Sequence, residues 1–149
     1  MVYENNFLEN SYFMSIQKTL SDKILMYYDK FTDDTYDINC HENIIRHDSP
    51  NIKDIEFLDN LIQKLNIKFL NYFCLKSILY QPQPRKAYFH TELTTSLFFL
   101  NTCNSKVIVG ERKLNAVSNR LVTFDDTKYG ITTCSNAKRC YYIELSYNT

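Results

Sequence analysis

Glycine is scarce in this chain, which has two glycines, Gly110 and Gly130, among 149 residues. Loops that bind phosphate in kinases, P-loop proteins and nicotinamide-dependent enzymes need several glycines, because the backbone there must approach the phosphate closely. Two isolated glycines do not build such a loop. Kinase-like and nicotinamide-dependent functions are therefore excluded.

An excess of charge of one sign is also lacking. Lys and Arg number 17 and Asp and Glu number 17, so no net field draws the chain onto nucleic acid or an anionic membrane. The balance of charges therefore disfavours nucleic acid as a partner. No run of 18 apolar residues occurs and no cationic stretch leads into an apolar one near residue 1, so we expect no membrane partner and a cytoplasmic location.

Cysteine pairs of the C-x-x-C type are missing. The five cysteines are odd in number, which favours neither a disulfide framework nor a zinc ribbon, and we expect buried or free thiols. Abundant Tyr, Phe, Asn, Ile and Lys are the residues that AT-rich codons supply. This bias fits a virus, a phage or an AT-rich bacterium equally well.

What is present is a globular composition of 44% hydrophobic and 23% charged residues, which predicts one domain over 1–149. Helical spacing of apolar residues predicts helices at 7–20 and at Asp54–Leu65. Residues 24–31 are short enough for a strand but ambiguous by periodicity, and the polar residues 32–51 read as a loop. Residues 1–66 are thus expected to be mainly helical support and loop.

Short strands dominate the remainder of the chain, 67–149. Residues 67–80 are rich in β-formers and end at a Gln-Pro-Gln-Pro turn. Further strands are predicted at Ala87–Glu92, Thr95–Asn101, Lys106–Val109, Arg120–Phe124, Ile131–Thr133 and Arg139–Tyr147. Helices followed by strands indicate an α+β fold with an antiparallel sandwich or barrel.

Three histidines are candidates for metal chemistry. His41 and His47, near Cys40, read as solvated loop residues, because the second ligand pair of a zinc site is missing. His90 and Glu92 are two residues apart on a predicted strand, so their side chains point to one face and can converge on one ion. A structural histidine remains the alternative.

The segment from Tyr80 to Tyr147 resembles the double-stranded β-helix core of the iron(II)- and 2-oxoglutarate-dependent dioxygenases, especially their prolyl-4-hydroxylase-like branch. The order of short motifs along the chain carries the resemblance. In sequence order they are Tyr80, His90-Thr-Glu92, Phe99-Leu-Asn101, Asn119-Arg-Leu-Val-Thr-Phe124 and Arg139, which stands ten residues after Tyr129.

The resemblance implies a double-stranded β-helix, or jelly roll, preceded by about two supporting helices. It implies iron(II) and 2-oxoglutarate as cofactors of an active enzyme. The metal ligands would be His90, Glu92 and, at the position of the second histidine, Tyr129; Arg139, Lys138 and Tyr80 would bind 2-oxoglutarate. His90 and Arg139 are then expected to face one pocket.

The chain departs from the family pattern at the metal site. No histidine follows His90, the expected second histidine falls within Asp125–Gly130, and Glu92 replaces the more common Asp. The first hypothesis is therefore a degenerate, non-catalytic domain, a pseudoenzyme without cofactors that binds a protein partner.

Three further hypotheses stay open. One is an active oxygenase of a peptide or small molecule, with a third ligand from Tyr129, Asp126, water or substrate. Another is a relative that acts on nucleic acid, which the neutral charge disfavours. The last is an unrelated sandwich in which His90 is a core residue.

Overall fold

The computed structural model describes residues 1–28, 41–43 and 58–148. Within these ranges there are two helices and ten strands. The helices are α1 (Asn10–Tyr28) and α2 (Asp59–Lys64). The strands are β1 (Val2–Glu4), β2 (His41–Asn43), β3 (Phe69–Leu79), β4 (Lys86–His90), β5 (Thr94–Phe99), β6 (Lys106–Val109), β7 (Arg112–Asn115), β8 (Leu121–Phe124), β9 (Lys128–Thr132) and β10 (Arg139–Asn148).

The strands form two sheets, a six-stranded sheet in the order β1-β8-β5-β10-β3-β2 and a four-stranded sheet in the order β4-β9-β6-β7. Every strand pair is antiparallel. From β3 to β6 and again from β8 to β10, the chain alternates between the two sheets. This alternation builds a double-stranded β-helix, so the predicted α+β jelly roll is confirmed.

Two apolar clusters lie on the two faces of the six-stranded sheet. Strand β10 shows the division, because Ile143 and Leu145 pack in the cluster that includes residues of α1 and α2, whereas Cys140 and Tyr142 pack in the cluster between the sheets. Side chains of a strand alternate between faces. Odd-numbered residues of β10 such as Ile143 thus face the helices, and even-numbered residues such as Tyr142 face the barrel interior.

Helix α1 buries one stripe, formed by Phe13, Ile16 and Leu20, against the six-stranded sheet. The Phe13 and Phe98 rings meet edge to face with centroids 5.8 Å apart. Leu61 of α2 is fully buried in the same cluster. Within the described residues, no helix is both long enough and apolar enough to cross a membrane.

Asn119 holds the N-terminal segment against the sheet. Its Oδ1 accepts from the Leu8 amide at 3.0 Å, its Nδ2 donates to the Leu8 carbonyl at 2.8 Å, and its own carbonyl accepts from the Phe7 amide. The backbone of Asn119 has a φ of 62°, a conformation that asparagine adopts more readily than most residues.

The N-terminal part differs from the sequence prediction in three places. Val2–Glu4 form β1, which no pattern predicted, and helix α1 continues through Tyr28, so residues 24–28, which periodicity left ambiguous, are helical. Within the predicted loop at 32–51, residues 41–43 form β2 at the sheet edge, and the other residues, with His47, lie outside the described part. The predicted helix at 54–65 is observed as α2, and residues 54–57 lie outside the description.

Candidate functional site

His90 ends β4 and lies on its exposed side. Along this strand Ala87 and Phe89 pack with the cluster between the sheets, whereas Tyr88 is 58% exposed and His90 is exposed as well. Glu92 lies two residues further on and is also exposed. The side chain directed toward the barrel between them is Thr91, which is 6% exposed and donates to the Asp126 carbonyl.

A cavity of about 440 Å³ opens at this end of the barrel, and we call it the His90 cavity. Its lining residues come from β3, β4, the β4–β5 connection and the end of β10. They are Asn71, Lys76, Phe89, His90, Thr91, Glu92, Leu93, Glu144 and Ser146. His90 and Glu92 both line this cavity, although β4 ends at His90 and Glu92 lies in the connection that follows it.

A buried ion pair crosses the His90 cavity. The Lys76 Nζ is 2.6 Å from the Glu144 Oε2, and both side chains are 3% exposed. Lys76 on β3 is the register partner of Tyr142 on β10, so its side chain points to the same interior face as Tyr142 and Glu144. The Lys76 ammonium also lies 3.6 Å from the centre of the Phe89 ring.

Tyr129 completes this network from β9. Its hydroxyl donates to the Glu144 Oε2 at 3.2 Å and lies 3.1 Å from the Tyr142 hydroxyl, and the Lys76 Nζ is 3.5 Å away. Burial raises the pKa of Tyr129 well above 10.0, and the neighbouring Tyr142 and Glu144 raise it further. The phenol therefore stays protonated at neutral pH.

Strand β9 brings a cation opposite His90. The two strands pair with Lys128 across from His90 and Tyr129 across from Phe89. The Lys128 Nζ lies 5.7 Å from the centre of the Tyr88 ring, on the exposed face of the four-stranded sheet. The segment Asp125–Gly130, within which the family resemblance expects a second imidazole, thus places a positive charge opposite His90.

These residues do not fit the iron site of the resemblance. A facial triad needs two imidazoles and a carboxylate with lone pairs directed at one point. Among the described residues, no group of three or more His, Cys, Asp or Glu side chains is placed to hold a metal ion. Tyr129 does not supply the missing ligand, because its protonated hydroxyl is committed to Glu144.

Arg139, Lys138 and Tyr80 lie elsewhere. With Ser135, Asn136 and Ala137 they line a second cavity of about 640 Å³ at the opposite end of β10. The Tyr80 amide donates to the Lys138 carbonyl at 2.9 Å, which ties the end of β3 to the β9–β10 connection. The expectation that His90 and Arg139 face one pocket is therefore not met.

The cation inside the His90 cavity is Lys76, which the sequence analysis did not single out. It stands in the apolar stretch Cys74–Tyr80, as Glu144 stands in the apolar stretch Tyr141–Tyr147. A single charge within each of two otherwise apolar strands was the signal in the sequence, because such charges are buried only when they are paired.

Neither a protein-family model nor a curated protein matches this chain. Two solved prolyl hydroxylases share its fold. The enzyme from Trichoplax adhaerens, solved with a peptide fragment of the hypoxia inducible factor oxygen degradation domain, is 16% identical, with 98% of this chain and 82% of that one covered and a TM-score of 0.61. The prolyl-4-hydroxylase from Pseudomonas putida is 12% identical, with coverages of 99% and 92% and a TM-score of 0.56. The likeness shows a common double-stranded β-helix fold.

Proposed function

We propose that this protein is a degenerate 2-oxoglutarate-oxygenase-like domain that performs no iron chemistry and serves as a binding module for a peptide or protein. The observation that carries the proposal is the Lys76–Glu144 pair, which occupies the barrel interior below His90. A fold is shared by catalytic and non-catalytic proteins, so the side chains of the site must decide.

The ion pair disfavours 2-oxoglutarate in the His90 cavity. A dicarboxylate needs an unneutralised cation to offset the loss of hydration of its charges. Glu144 already neutralises Lys76 at 2.6 Å, and a second carboxylate placed beside Lys76 would be repelled by Glu144 in a site of low dielectric.

The surroundings of His90 likewise disfavour iron(II). The Lys128 cation occupies the register position opposite His90 and repels a divalent cation bound there. His90 and Glu92 supply two donors, and both are exposed to water, so a bound metal would keep most of its hydration shell. Such a site binds ferrous ion weakly.

The exposed surface around His90 suits a peptide instead. On the outer face of the four-stranded sheet Tyr88 is 58% exposed and Lys128 lies over its ring, and Glu92 supplies a negative charge at the cavity. Tyrosine is enriched at protein interfaces, because its ring is apolar and its hydroxyl forms hydrogen bonds. The Trichoplax prolyl hydroxylase, which shares the fold, was solved with a peptide.

The free thiols of Cys103, Cys134 and Cys140 are consistent with the reducing cytoplasm, which we propose as the location of this protein.

An anaerobic titration with iron(II) and 2-oxoglutarate tests this function. We expect no saturable charge-transfer band in the wild type at millimolar iron and none in Arg139→Ala. A matched gain-of-function variant is Lys128→His, which replaces the cation opposite His90 by an imidazole. It should bind cobalt(II), a spectroscopic substitute for iron(II), more tightly than the wild type. Lys106→His should not, because Lys106 lies on β6 beside Thr132, at the other end of β9 from Lys128.

A saturable band in the wild type that His90→Ala removes would contradict the proposal. The protein would then be an active oxygenase with an atypical iron site, and succinate formation would be measured next. His90→Ala should leave the free energy of unfolding nearly unchanged, because His90 is exposed.

A further inference from the structure

Positive charge is concentrated in the four-stranded sheet. Each of its strands, β4, β6, β7 and β9, contains Lys or Arg, and none contains Asp or Glu. The nearest acidic residues along the chain, Glu92, Glu111 and Asp126, lie in the connections between strands. Because the whole chain has 17 residues of each sign, this sheet separates positive charge from the negative charge of the rest. The net charge of zero therefore does not describe this surface.

Strand register places four lysines on the outer face of this sheet, and we call them the lysine face. Val107, Val109, Tyr129 and Ile131 pack in the cluster between the sheets, so their neighbours along β6 and β9 point outward. The register partners of these outward residues on β4 and β7 share the same face. The four lysines, all of them exposed, are Lys86, Lys106, Lys113 and Lys128.

Tyr88 lies on the lysine face and is held against the sheet. It is two residues from Lys86 on β4, and the Lys128 Nζ lies 5.7 Å from the centre of its ring. Gly130 is the register partner of Tyr88 on β9, and a Cβ added to Gly130 would be 2.9 Å from the Tyr88 Cε1. The glycine thus leaves room for the ring, while Tyr88 remains 58% exposed. The face therefore combines an exposed aromatic ring with surrounding cations.

Strand β4 is an edge of its sheet. Within the described residues it pairs with β9 on one side and with no strand on the other. On the β9 side, the Thr91 amide donates to the Thr127 carbonyl and the Arg85 carbonyl accepts from the Thr133 amide, both at 2.8 Å. Backbone groups point alternately to the two sides of a strand, so the even-numbered residues of β4 present their N–H and C=O groups at the open side. These residues are Lys86, Tyr88 and His90.

The opposite edge of the sheet, β7, is less suited to an added strand. The Arg120 Nη1 donates to the Asn115 carbonyl at 2.9 Å, and the Arg112 Nη1 donates to the Met1 carbonyl at 2.6 Å. Glu111 places a negative charge in the turn before β7. A strand with negative side chains therefore fits better beside β4.

We propose that β4 binds an acidic peptide, which adds to the sheet as an antiparallel strand with its carboxylates on the lysine face. The proposal rests on the peptide-binding function proposed above and names the chemistry of the peptide. The open edge supplies hydrogen bonds to any extended backbone, and the lysines select acidic side chains. A nucleic acid strand is attracted by the same lysines, but its backbone does not repeat the N–H and C=O groups that pair with a strand edge.

The test titrates a fluorescently labelled peptide of alternating Glu and Thr residues with the full chain and measures fluorescence anisotropy. We expect saturable binding that weakens as the salt concentration rises. Lys86→Glu and Lys128→Glu should each weaken binding by about tenfold, because each puts a negative charge on the lysine face. Lys18→Glu makes the same change of charge at an exposed position of α1 and should leave the affinity unchanged.

Two methylated peptides test the strand pairing on the wild type and need no variant. In an antiparallel pair, the peptide residues whose N–H groups face β4 carry their side chains on the lysine face, so these residues are the glutamates. N-methylation of the glutamates removes these donors and should weaken binding by about tenfold or more. N-methylation of the threonines removes donors that point away from β4 and should leave binding nearly unchanged.

Four results would overturn the proposal. They are no saturable binding of the peptide at low salt, equal losses for Lys18→Glu and the lysine-face variants, equal or reversed effects of the two methylations, and tighter binding of a single-stranded oligothymidylate of the same net charge. The last result would assign the lysine face to nucleic acid. The assay contains neither iron(II) nor 2-oxoglutarate, so its failure is distinct from a failure of the proposed absence of iron chemistry, which the charge-transfer titration detects.

Discussion

The Lys76 ammonium and the Glu144 carboxylate lie 2.6 Å apart inside the barrel, and each side chain is 3% exposed. Burial removes both charges from water at a cost of several kcal/mol each, which their attraction and hydrogen bonds must offset. Tyr129 helps by donating to Glu144, and the Phe89 ring faces the ammonium. The pair therefore stabilises the fold only while both partners are present.

Removing one partner of this pair should be more harmful than removing both. Lys76→Met and Glu144→Leu should each lower the free energy of unfolding by about 3–5 kcal/mol, because an uncompensated charge stays buried. The free energy of unfolding of the double variant should be close to that of the wild type, and well above the value that the two single losses would give if they added. Urea denaturation measures all three.

Lys106→Met, at an exposed position of β6, is the matched control and should change stability by less than about 0.5 kcal/mol. Additive losses in the double variant would show that Lys76 and Glu144 do not interact.

The buried hydroxyl of Tyr129 should produce a stability change at alkaline pH. Burial raises the pKa of Tyr129 well above 10.0, so the native state holds this proton more tightly than the unfolded state. The resulting stabilisation is complete below pH 10.0 and is lost as pH rises through the native pKa, with a slope of up to about 1.4 kcal/mol per pH unit.

Urea denaturation at increasing pH tests this sign. The difference in stability between the wild type and Tyr129→Phe should shrink above pH 10.0, because the variant lacks the ionising group. Ile131→Val, on the same strand and fully buried, removes a methylene and no titrating group, so its difference from the wild type should stay constant. A constant difference for Tyr129→Phe would show that its phenol has an ordinary pKa.

The strands were predictable where apolar residues alternate or run together. Strand β6 has the predicted bounds, Lys106–Val109, and β10 extends the predicted Arg139–Tyr147 by one residue. Strand β7 was missed because its sequence, Arg-Lys-Leu-Asn, is polar and mostly exposed, so no hydrophobic pattern marks it. It forms because a tight turn after β6 folds it back onto that strand.

The interior of the candidate site was less predictable, because it depends on strand register. The order of motifs along the chain predicted that Arg139 binds 2-oxoglutarate inside the barrel. A shift of one residue on a strand, however, turns a side chain to the other face of the sheet. Arg139 is four residues from Ile143 and so lies on the same face of β10, toward the helices, whereas Cys140 lies on the interior face. Lys76 and Glu144 meet only through the β3–β10 register, which single-sequence patterns do not contain.

Asn119 should be costly to replace by alanine. Two buried hydrogen bonds to Leu8 would be lost, and alanine would have to adopt a φ of 62°. We expect Asn119→Ala to reduce the free energy of unfolding by about 2–4 kcal/mol. Asn119→Gly loses the same hydrogen bonds without the backbone strain, so it should be more stable than Asn119→Ala by about 1 kcal/mol.

Thermal or urea denaturation of the two variants separates these effects. Equal stabilities would show that the positive φ carries no cost, and a loss below about 1 kcal/mol in both would show that Asn119 does not hold Leu8 in solution.

Gly110 allows the same separation at the β6–β7 turn. Val109 pairs with Arg112, so Gly110 and Glu111 form a two-residue loop, and Gly110 has a φ of 60°. A Cβ added there meets no atom within 4 Å, so any cost of Gly110→Ala comes from the backbone and not from a clash. We expect Gly110→Ala to cost about 1 kcal/mol in urea denaturation, because alanine is strained at positive φ. An unchanged or increased stability would show that the positive φ carries no cost and that the loss of glycine's freedom in the unfolded chain decides the result.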